Sequence, residues 1–417
     1  MPRQVQSVQQ LSPDRHDPPL AMKLLHVIAS IRAAGGGPIE AVRSFAAVHQ
    51  RGGHSIEVAS LDDPADPEVR SFPLPVHALG PARNTYSFAP AFVPWLRQNR
   101  TRYDAVLIHG LWQYHSFGAW RALHGTATPC YVFPHGMLDP WFKRTFPFKH
   151  LKKCLYWPWA DYRVLRDARA VLFTCEQEKL LAPQSFALYR ANAVITGLGT
   201  TPPPPGVDAS AFLERYPELR RKRLLLFMGR LHPKKGCDLL LEAYAAIMAK
   251  DPAWRLVFAG PDAFHWQQKL AARADTLGIS DRIVWTGMLR DTLKWSALAA
   301  AEVFVLPSHQ ENFGIAVAES LACGIPVLIS REVNIWREIE AANSGLVAPD
   351  TLEGTTSLLT RWQQLPQAER TVMRENARQC FTQHFDIEHS AARLLEVLQE
   401  TATDDRRRQQ AAADKTR

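Results

Sequence analysis

Glu311 and Glu319 stand with seven residues between them, in the stretch that runs from Pro307 through Asn312, Phe313, Gly314 and Ile315 to Pro326. The apolar run Val303 to Leu306 before it predicts a buried parallel strand. The residues after Gly314 predict a helix with Ile315, Ala318 and Leu321–Ala322 on one face. A polar loop joins the two. The N–H groups of Asn312, Phe313, Gly314 and Ile315 are then the unpaired donors of a helix start. Such an end binds anions, phosphate above all, and Gly314 lets a ligand come close to the backbone. Carboxylates do not hold phosphate, because like charges repel, but they accept hydrogen bonds from sugar hydroxyls. One carboxylate on a hexose and one on a ribose, with a diphosphate on the amides between, describes a nucleotide-sugar site. Taken alone, Glu311 reads as a loop residue and Glu319 as a solvated helix position; the whole string carries the sharper reading.

Three further groups stand where strands end. Arg230 and Lys235 lie in Met228-Gly229-Arg230-Leu231-His232-Pro233-Lys234-Lys235-Gly236. Standing alone this reads as a basic surface turn, but two cations there can neutralise the charge that grows on a leaving diphosphate, with charge-assisted contacts of about 1.5–3 kcal/mol each. Lys234 is expected to be solvated. Gly35-Gly36-Gly37-Pro38 follows the first strand and opens a helix over 39–51, where Pro38 suits the first turn. It is not G-x-G-x-x-G, and no Walker A motif occurs, so nicotinamide and P-loop chemistry are not favoured. His109 and His135 each follow an apolar strand. A histidine so placed is more often a structural hydrogen-bonder than a catalyst.

The elements that position these groups alternate along the chain. Strands are expected at 22–28, 55–59, 76–79, 105–108, 131–133, 170–173 and 193–195, and again at 224–228, 255–259, 283–286, 303–306 and 327–329, with helices between. This pattern predicts an α/β chain with doubly wound parallel sheets, which bind ligands at the carboxyl ends of their strands. Thr200–Gly206, with four consecutive prolines, reads as a linker. The organisation expected is a disordered arm (1–21), a first Rossmann-like domain (22–200), a second (201–385), a helix crossing back to the first (386–402) and a disordered tail (403–417). Met22 is a candidate translation start.

With 417 residues, the chain is comfortable as two domains. The N-terminal residues lack the apolar core of a signal peptide, and no apolar run reaches membrane-spanning length. Six scattered cysteines, in no metal-binding spacing, argue for a reducing compartment and against disulfides or zinc. A net charge of +8 suits acidic ligands or an anionic surface without choosing between them.

The pattern P-S-x-x-E-x-F-G-x4-E-S-L-A-C-G-x-P-V resembles the E-x7-E signature of retaining glycosyltransferases of group 1, also called family 4. These enzymes have the GT-B fold, two Rossmann-like domains facing a cleft. Gly229 to Gly236 resembles that family's G-R-L-x-x-x-K-G motif. The resemblance implies a catalytic set of Glu311, His135, Arg230 and Lys235. Donor contacts would come from Gly36, Gly37, Arg230, Lys235, Met288, Glu311, Asn312, Phe313, Gly314, Ile315 and Glu319. Within that set Glu311 and His135 would reach the donor sugar, Glu319 the ribose and the Met288 loop the base. Gly35 and His109 would lie on the acceptor side. Many members have Gly where Asn312 stands. GT-B enzymes generally need no metal or other cofactor, and no D-x-D stands at a strand end here. The partners implied are a nucleotide sugar and a glycan or polyprenyl-linked acceptor, with no nucleic acid. Two rival readings remain: a GT-B nucleotide-sugar epimerase, which works without an acceptor, and a non-catalytic glycan- or lipid-binding protein.

The segment 141–169 interleaves aromatic residues (Trp141, Phe142, Phe146, Phe148, Tyr156, Trp157, Trp159, Tyr162) with bases (Lys143, Arg144, Lys149, Lys152, Lys153, Arg163, Arg166). One reading is a patch facing an anionic membrane, which would place a cytoplasmic protein at the inner face of the plasma membrane. The other is a helix pair that buries its aromatics and points its bases to water. Single-stranded nucleic acid would use similar residues.

Overall fold

The structure is a computed structural model that describes residues 21–32, 36–262 and 265–414, with side chains to residue 400. Most of the expected N-terminal arm, and Gly35, lie outside the described residues. The first sheet holds β1 (Lys23–Ile28), β2 (Ser55–Ser60), β3 (Val76–Ala78), β4 (Ala105–His109), β5 (Cys130–Phe133), β6 (Ala170–Phe173) and β7 (Ala193–Ile195), in the order β3-β2-β1-β4-β5-β6-β7. The second holds β8 (Arg223–Met228), β9 (Trp254–Ala259), β10 (Ile283–Gly287), β11 (Val303–Leu306), β12 (Val327–Ser330) and β13 (Gly345–Ala348), in the order β10-β9-β8-β11-β12-β13.

Adjacent strands in both sheets run parallel. Helices cover both faces, so the inner strands are apolar along their length: Ala105–Ile108 and Val303–Leu306 are buried throughout. Strand order reverses direction between β1 and β4, and between β8 and β11. These are the switch points at which open α/β sheets bind ligands. Gly36 follows β1, His109 ends β4, Arg230 follows β8 and Glu311 follows β11. The fold therefore gathers the charged motifs at corresponding ends of two sheets.

The chain passes between the halves twice, at neighbouring points. Thr200 N donates to the Phe385 carbonyl at 2.9 Å, and Ile387 N donates to the Thr200 carbonyl at 3.2 Å. Beyond the second crossing, the helix Ile387–Asp414 lies on the helix Gly37–Arg51. His49 Nε2 bonds the Ala391 carbonyl at 3.0 Å, and Arg51 pairs with Glu388.

Two expectations differ from the structure. The final helix runs to Asp414, past residue 402 where a disordered tail was expected. The stretch 401–414 contains no Gly or Pro to end a helix. The strand β13 and the helix Leu352–Gln364 went unread. Four residues that open on Gly345 give little periodic signal. Glycine is there because a Cβ would come 2.1 Å from the Val327 carbonyl of β12.

Gly236 holds the loop after β8 against the loop after β11. Its φ is +65°, and a Cβ on it would come 2.1 Å from the Pro307 carbonyl. Left-handed backbone alone costs an Ala about 1–2 kcal/mol. Gly236→Ala is therefore expected to lower the thermal midpoint by roughly 2–8 °C. An unchanged midpoint would show that the two loops do not constrain each other.

Candidate active site

A cavity of about 380 Å³ opens between the two sheets' carboxyl ends. From the first half it is lined by Gly36, Gly37, Pro38, His135, Gly136, Met137 and Phe142. From the second half come Arg230, Lys234, Lys235, Gln310, Glu311 and the helix start Asn312–Ala316. Gly314 caps that helix with φ +75°, and Gly36 caps the first helix with φ +75°. In each case glycine supplies the left-handed turn that aims the helix start at the cavity.

Charge is concentrated on the second half. Lys235 forms an ion pair with Glu311, with side-chain exposures of 15% and 18%. Burial pushes the Glu311 carboxyl up, but the charges of Lys235 and Lys234 outweigh burial and hold it below the usual carboxylate range. Its backbone is fixed as well: Glu311 N donates to the Glu332 carbonyl at 2.8 Å, and Asn334 N donates to the Glu311 carbonyl at 3.0 Å. Arg230 is exposed and makes no ion pair among the described residues, so its charge faces the cavity uncommitted.

Lys234 corrects an expectation. It is not a solvated surface base but part of the cavity wall, 5.7 Å from the Trp141 ring centroid and 5.6 Å from that of Phe142. Burial lowers its ammonium to about 8. Its aromatic neighbours come from the other half of the chain, so nothing in its own motif signals the site.

The first half supplies a supported turn. His135 has φ +51° and Gly136 φ +74°. The buried Glu178 carboxylate accepts Gly136 N at 2.6 Å, Thr174 N at 2.8 Å and Thr174 Oγ1 at 2.7 Å. Asn312 reaches across to donate to Thr174 Oγ1 at 3.1 Å. A Cβ on Gly136 would lie 2.7 Å from the Asn312 Cβ, so the two halves touch here closely. Gln310 Nε2 adds a second bridge, to Asp139 Oδ2 at 3.1 Å. Glu178, Thr174, Asp139 and Gln310 escaped the sequence reading, since each acts through a partner more than 40 residues away or through its own backbone.

The remaining expected residues do not reach the cavity wall. Glu319 is buried in the helix Ile315–Ala322 and bonded to Lys294 Nζ at 2.7 Å. Burial raises its carboxyl, with Glu40 adding to the rise and Lys294 opposing it. Met288, after β10, is 54% exposed and stands apart from the cavity. His109 is buried behind His135 rather than open to a ligand.

Comparison with known proteins bears on these groupings. Residues 211–380 match the family described as Glycosyl transferases group 1, and residues 36–199 match the Glycosyl transferase 4-like domain. The chain belongs to the group 1 glycosyltransferases. Among curated group 1 relatives, the D-inositol 3-phosphate glycosyltransferase of Thermomonospora curvata is 33% identical over 254 residues, 55% of this chain and 56% of that protein. A GDP-mannose-dependent alpha-(1-6)-phosphatidylinositol dimannoside mannosyltransferase of Mycobacterium tuberculosis is 28% identical over 306 residues, 71% of this chain and 74% of that protein. The chain spans about half the length of several D-inositol 3-phosphate glycosyltransferases it matches. The GT-B fold follows from solved structures. Anabaena HepE in complex with UDP superposes with a TM-score of 0.74 at 19% identity, over 91% of this chain and all of that one. Sucrose-phosphate synthase of Thermosynechococcus elongatus gives 0.73 at 17%, over 91% and 98%.

The Lys235–Glu311 pair yields a pH-dependent expectation. A carboxyl held low in the folded chain adds stability above its unfolded pKa, near 4.3, and that stability is lost as pH falls through the folded value. Lys235→Met removes the largest charge that holds it low. The variant should lose about 1–3 kcal/mol at pH 7, and the gap to wild type should shrink below about pH 4 as the carboxyl protonates. Denaturant unfolding at both pH values measures this. A gap independent of pH would mean that the pair does not set the Glu311 charge.

Proposed function

We propose that the protein transfers a sugar, with retention of configuration, from a nucleotide-sugar donor to a hydroxyl of a glycan or lipid-linked acceptor. The observation that carries this is the cavity itself, in which Arg230, Lys234, Lys235 and the helix start at Gly314–Ile315 face one another across the ends of β8 and β11. Three cations against one carboxylate leave net positive charge where a diphosphate would sit. Charge that develops on a leaving diphosphate is stabilised most by donors already in place. The UDP and UDP-glucose in the Anabaena HepE structures, and the GDP-mannose in the mycobacterial relative's name, support a nucleotide-sugar donor.

Glu319 is buried against Lys294, and Glu311, paired with Lys235 at the cavity wall, is placed to accept hydrogen bonds from hydroxyls. Resemblance to retaining group 1 enzymes implies attack from the face the leaving group departs, with a phosphate oxygen taking the acceptor proton. Glu311 then accepts hydrogen bonds from the sugar. Because protein cations meet the diphosphate charge, no metal ion is required.

The test is thermal denaturation with UDP, GDP and ADP in turn, with and without magnesium. At 100 times its Kd a nucleotide stabilises by about 2.7 kcal/mol. One nucleotide should raise the midpoint, equally with and without magnesium, and its sugar conjugate should lose the sugar to an acceptor. Interconversion of sugars without acceptor would point to an epimerase. Binding without turnover against any acceptor would point to a binding protein.

The acceptor side favours an amphiphile at an anionic bilayer. The helix Pro147–Tyr156 buries none of its residues. Phe148, Leu151 and Leu155 recur at i, i+3 and i+7, exposed by 84%, 62% and 72%, and Trp159 follows at 68%. The expectation that this segment buries its aromatics holds only for residues such as Trp157. Residues 140–160 carry Lys143, Arg144, Lys149, Lys152 and Lys153 and no carboxylate. An apolar stripe with bases beside it suits an anionic lipid surface. Between this helix and the cavity runs a groove lined by Trp112, Phe142, Phe146, Lys149 and Lys153, which shares Met137 and Phe142 with the cavity. No described helix is long and apolar enough to cross a membrane.

The protein is expected to sediment with vesicles containing 30% phosphatidylglycerol and not with phosphatidylcholine alone, and to be released by high salt. Leu155→Ser, at an exposed position, should weaken sedimentation at least about fivefold while leaving the thermal midpoint unchanged. Equal binding by variant and wild type would remove this helix from the surface contact.

A further inference from the structure

Two buried histidines and a half-buried third form a line from the sheet interior to the cavity. His26 lies within β1, His109 ends the neighbouring β4, and His135 follows β5 and lines the cavity. His26 Nδ1 and His109 Nε2 are 2.8 Å apart, and His109 Nδ1 and His135 Nε2 are 2.9 Å apart. The rings stack, with centroids 5.0 and 5.2 Å apart, and Phe133 closes on both His109 and His135. Burial lowers His26 and His135 to about 3, with His49 adding to the fall at His26. Burial, and then the neighbouring imidazoles, take His109 well below its ordinary range. All three rings are therefore neutral near pH 7, and each carries one proton on one nitrogen.

Two directions of donation fit those distances. In one, every proton sits on Nδ1 and each ring donates toward the cavity. In the other, every proton sits on Nε2 and each ring donates inward, which leaves His26 Nε2–H at the closed end. That nitrogen is sealed from solvent and has no partner.

Two other buried histidines of the same half show what the protein does with such a nitrogen. His115 Nε2 lies 2.9 Å from the His109 carbonyl, and His49 Nε2 lies 3.0 Å from the Ala391 carbonyl. A carbonyl only accepts, so both protons are on Nε2. In both rings the sealed, unpaired nitrogen is Nδ1, which is thus a bare lone pair. Sealed N–H donors without an acceptor are rare in folded proteins. His26 Nε2 follows the same pattern as a bare lone pair, and donation runs outward.

We infer that the chain His26–His109–His135 fixes His135 as the Nδ1–H tautomer, which presents a hydrogen-bond donor to an oxygen atom of the ligand in the cavity. His135 Nδ1 has no partner among the described residues and is not among the sealed atoms, so it opens on the cavity. His109 and His26 are positioning residues that act through it. The chain gives His135 one role and denies it another. Its Nε2 lone pair is occupied by His109 and its Nδ1 carries the proton, so it donates a hydrogen bond and is not a general base. On the glycosyltransferase reading the oxygen belongs to the transferred sugar; the tautomer itself does not depend on that reading.

Long-range ¹H–¹⁵N correlation on histidine-labelled full-length protein distinguishes the two tautomers, with the His135 signals assigned by their loss in His135→Asn. His26, His109 and His135 should show Nδ1–H, and His49 and His115 should show Nε2–H as internal references. Nε2–H at His135 in the wild-type protein overturns the inference. Two variants test the positioning role. His109→Phe keeps a ring in the stack but removes the donor, so His135 should populate both tautomers and kcat should fall about tenfold. His109→Asn keeps an N–H near the Nδ1 position, and should retain the Nδ1–H form of His135 and most of the rate. A purely structural role reverses that order, because Phe preserves the packing and Asn does not. Phe as active as Asn or more so, or an unchanged tautomer in the Phe variant, overturns the positioning role.

Discussion

The ion pair between Lys235 and Glu311 is the contact on which the second half's site depends. It joins the loop after β8 to the loop after β11 across the switch point of the sheet. A backbone bond from His309 N to the Lys234 carbonyl, at 2.8 Å, joins the same two loops. Gly236 lets their backbones approach, and the Glu311 backbone is tied outward to Glu332 and Asn334. The pair also sets the charge of the cavity. It neutralises one of three cations and leaves Arg230 and Lys234 without a matching carboxylate. A diphosphate arriving at the helix start would meet that surplus. It would also compete with Glu311 for Lys235, freeing carboxylate oxygens for hydroxyl donors. One interaction thus serves order before binding and can exchange into ligand contacts after it.

The two halves meet across the same site as well as where the final helix lies on the first. Asn312 fits against Gly136 and bonds Thr174, while Gln310 bonds Asp139. Asn312 is thus a side chain that spans the cleft. The two chain crossings, at Thr200 and Ile387, lie side by side, joined by two backbone hydrogen bonds. Polar bridges of this kind contribute only about 1 kcal/mol each. They can hold the cleft shut without preventing it from opening.

How much of this was legible follows from how local each signal is. Strand runs such as Val303–Leu306, the glycines at helix starts and the charged motifs all lie within a dozen residues of sequence. Their periodicity and spacing disclosed the two sheets and the residues Arg230, Lys235, Glu311 and Asn312–Ile315 that line one cavity. What stayed hidden is pairwise and distant. Lys234 is in the wall because Trp141 and Phe142 cover it. Glu319 is buried in its helix and bonded to Lys294, outside the lining of the cavity. The resemblance put His109 on the acceptor side, but the ring of His135 stands between it and the cavity. Short β13 was missed because its glycine answers to a neighbouring strand rather than to its own propensity.

The site divides its polarity between the halves, and the division has a physical cause. On the second half, cations lie in a wall open enough to stay charged, where Arg230 is exposed and Lys235 is paired. On the first half, three imidazoles lie within or behind the wall, and burial prevents them from charging. Had they been protonated, they would have added positive charge opposite Arg230 and Lys234 and pushed the cleft apart. Kept neutral, they present a directed dipole instead of a charge. A charged diphosphate and a neutral sugar need different surroundings. Cations and helix amides suit the first, and a hydrogen-bond donor of fixed direction suits the second. The cations come from the second half and the imidazole donor from the first, with Glu311 placed to meet hydroxyls between them.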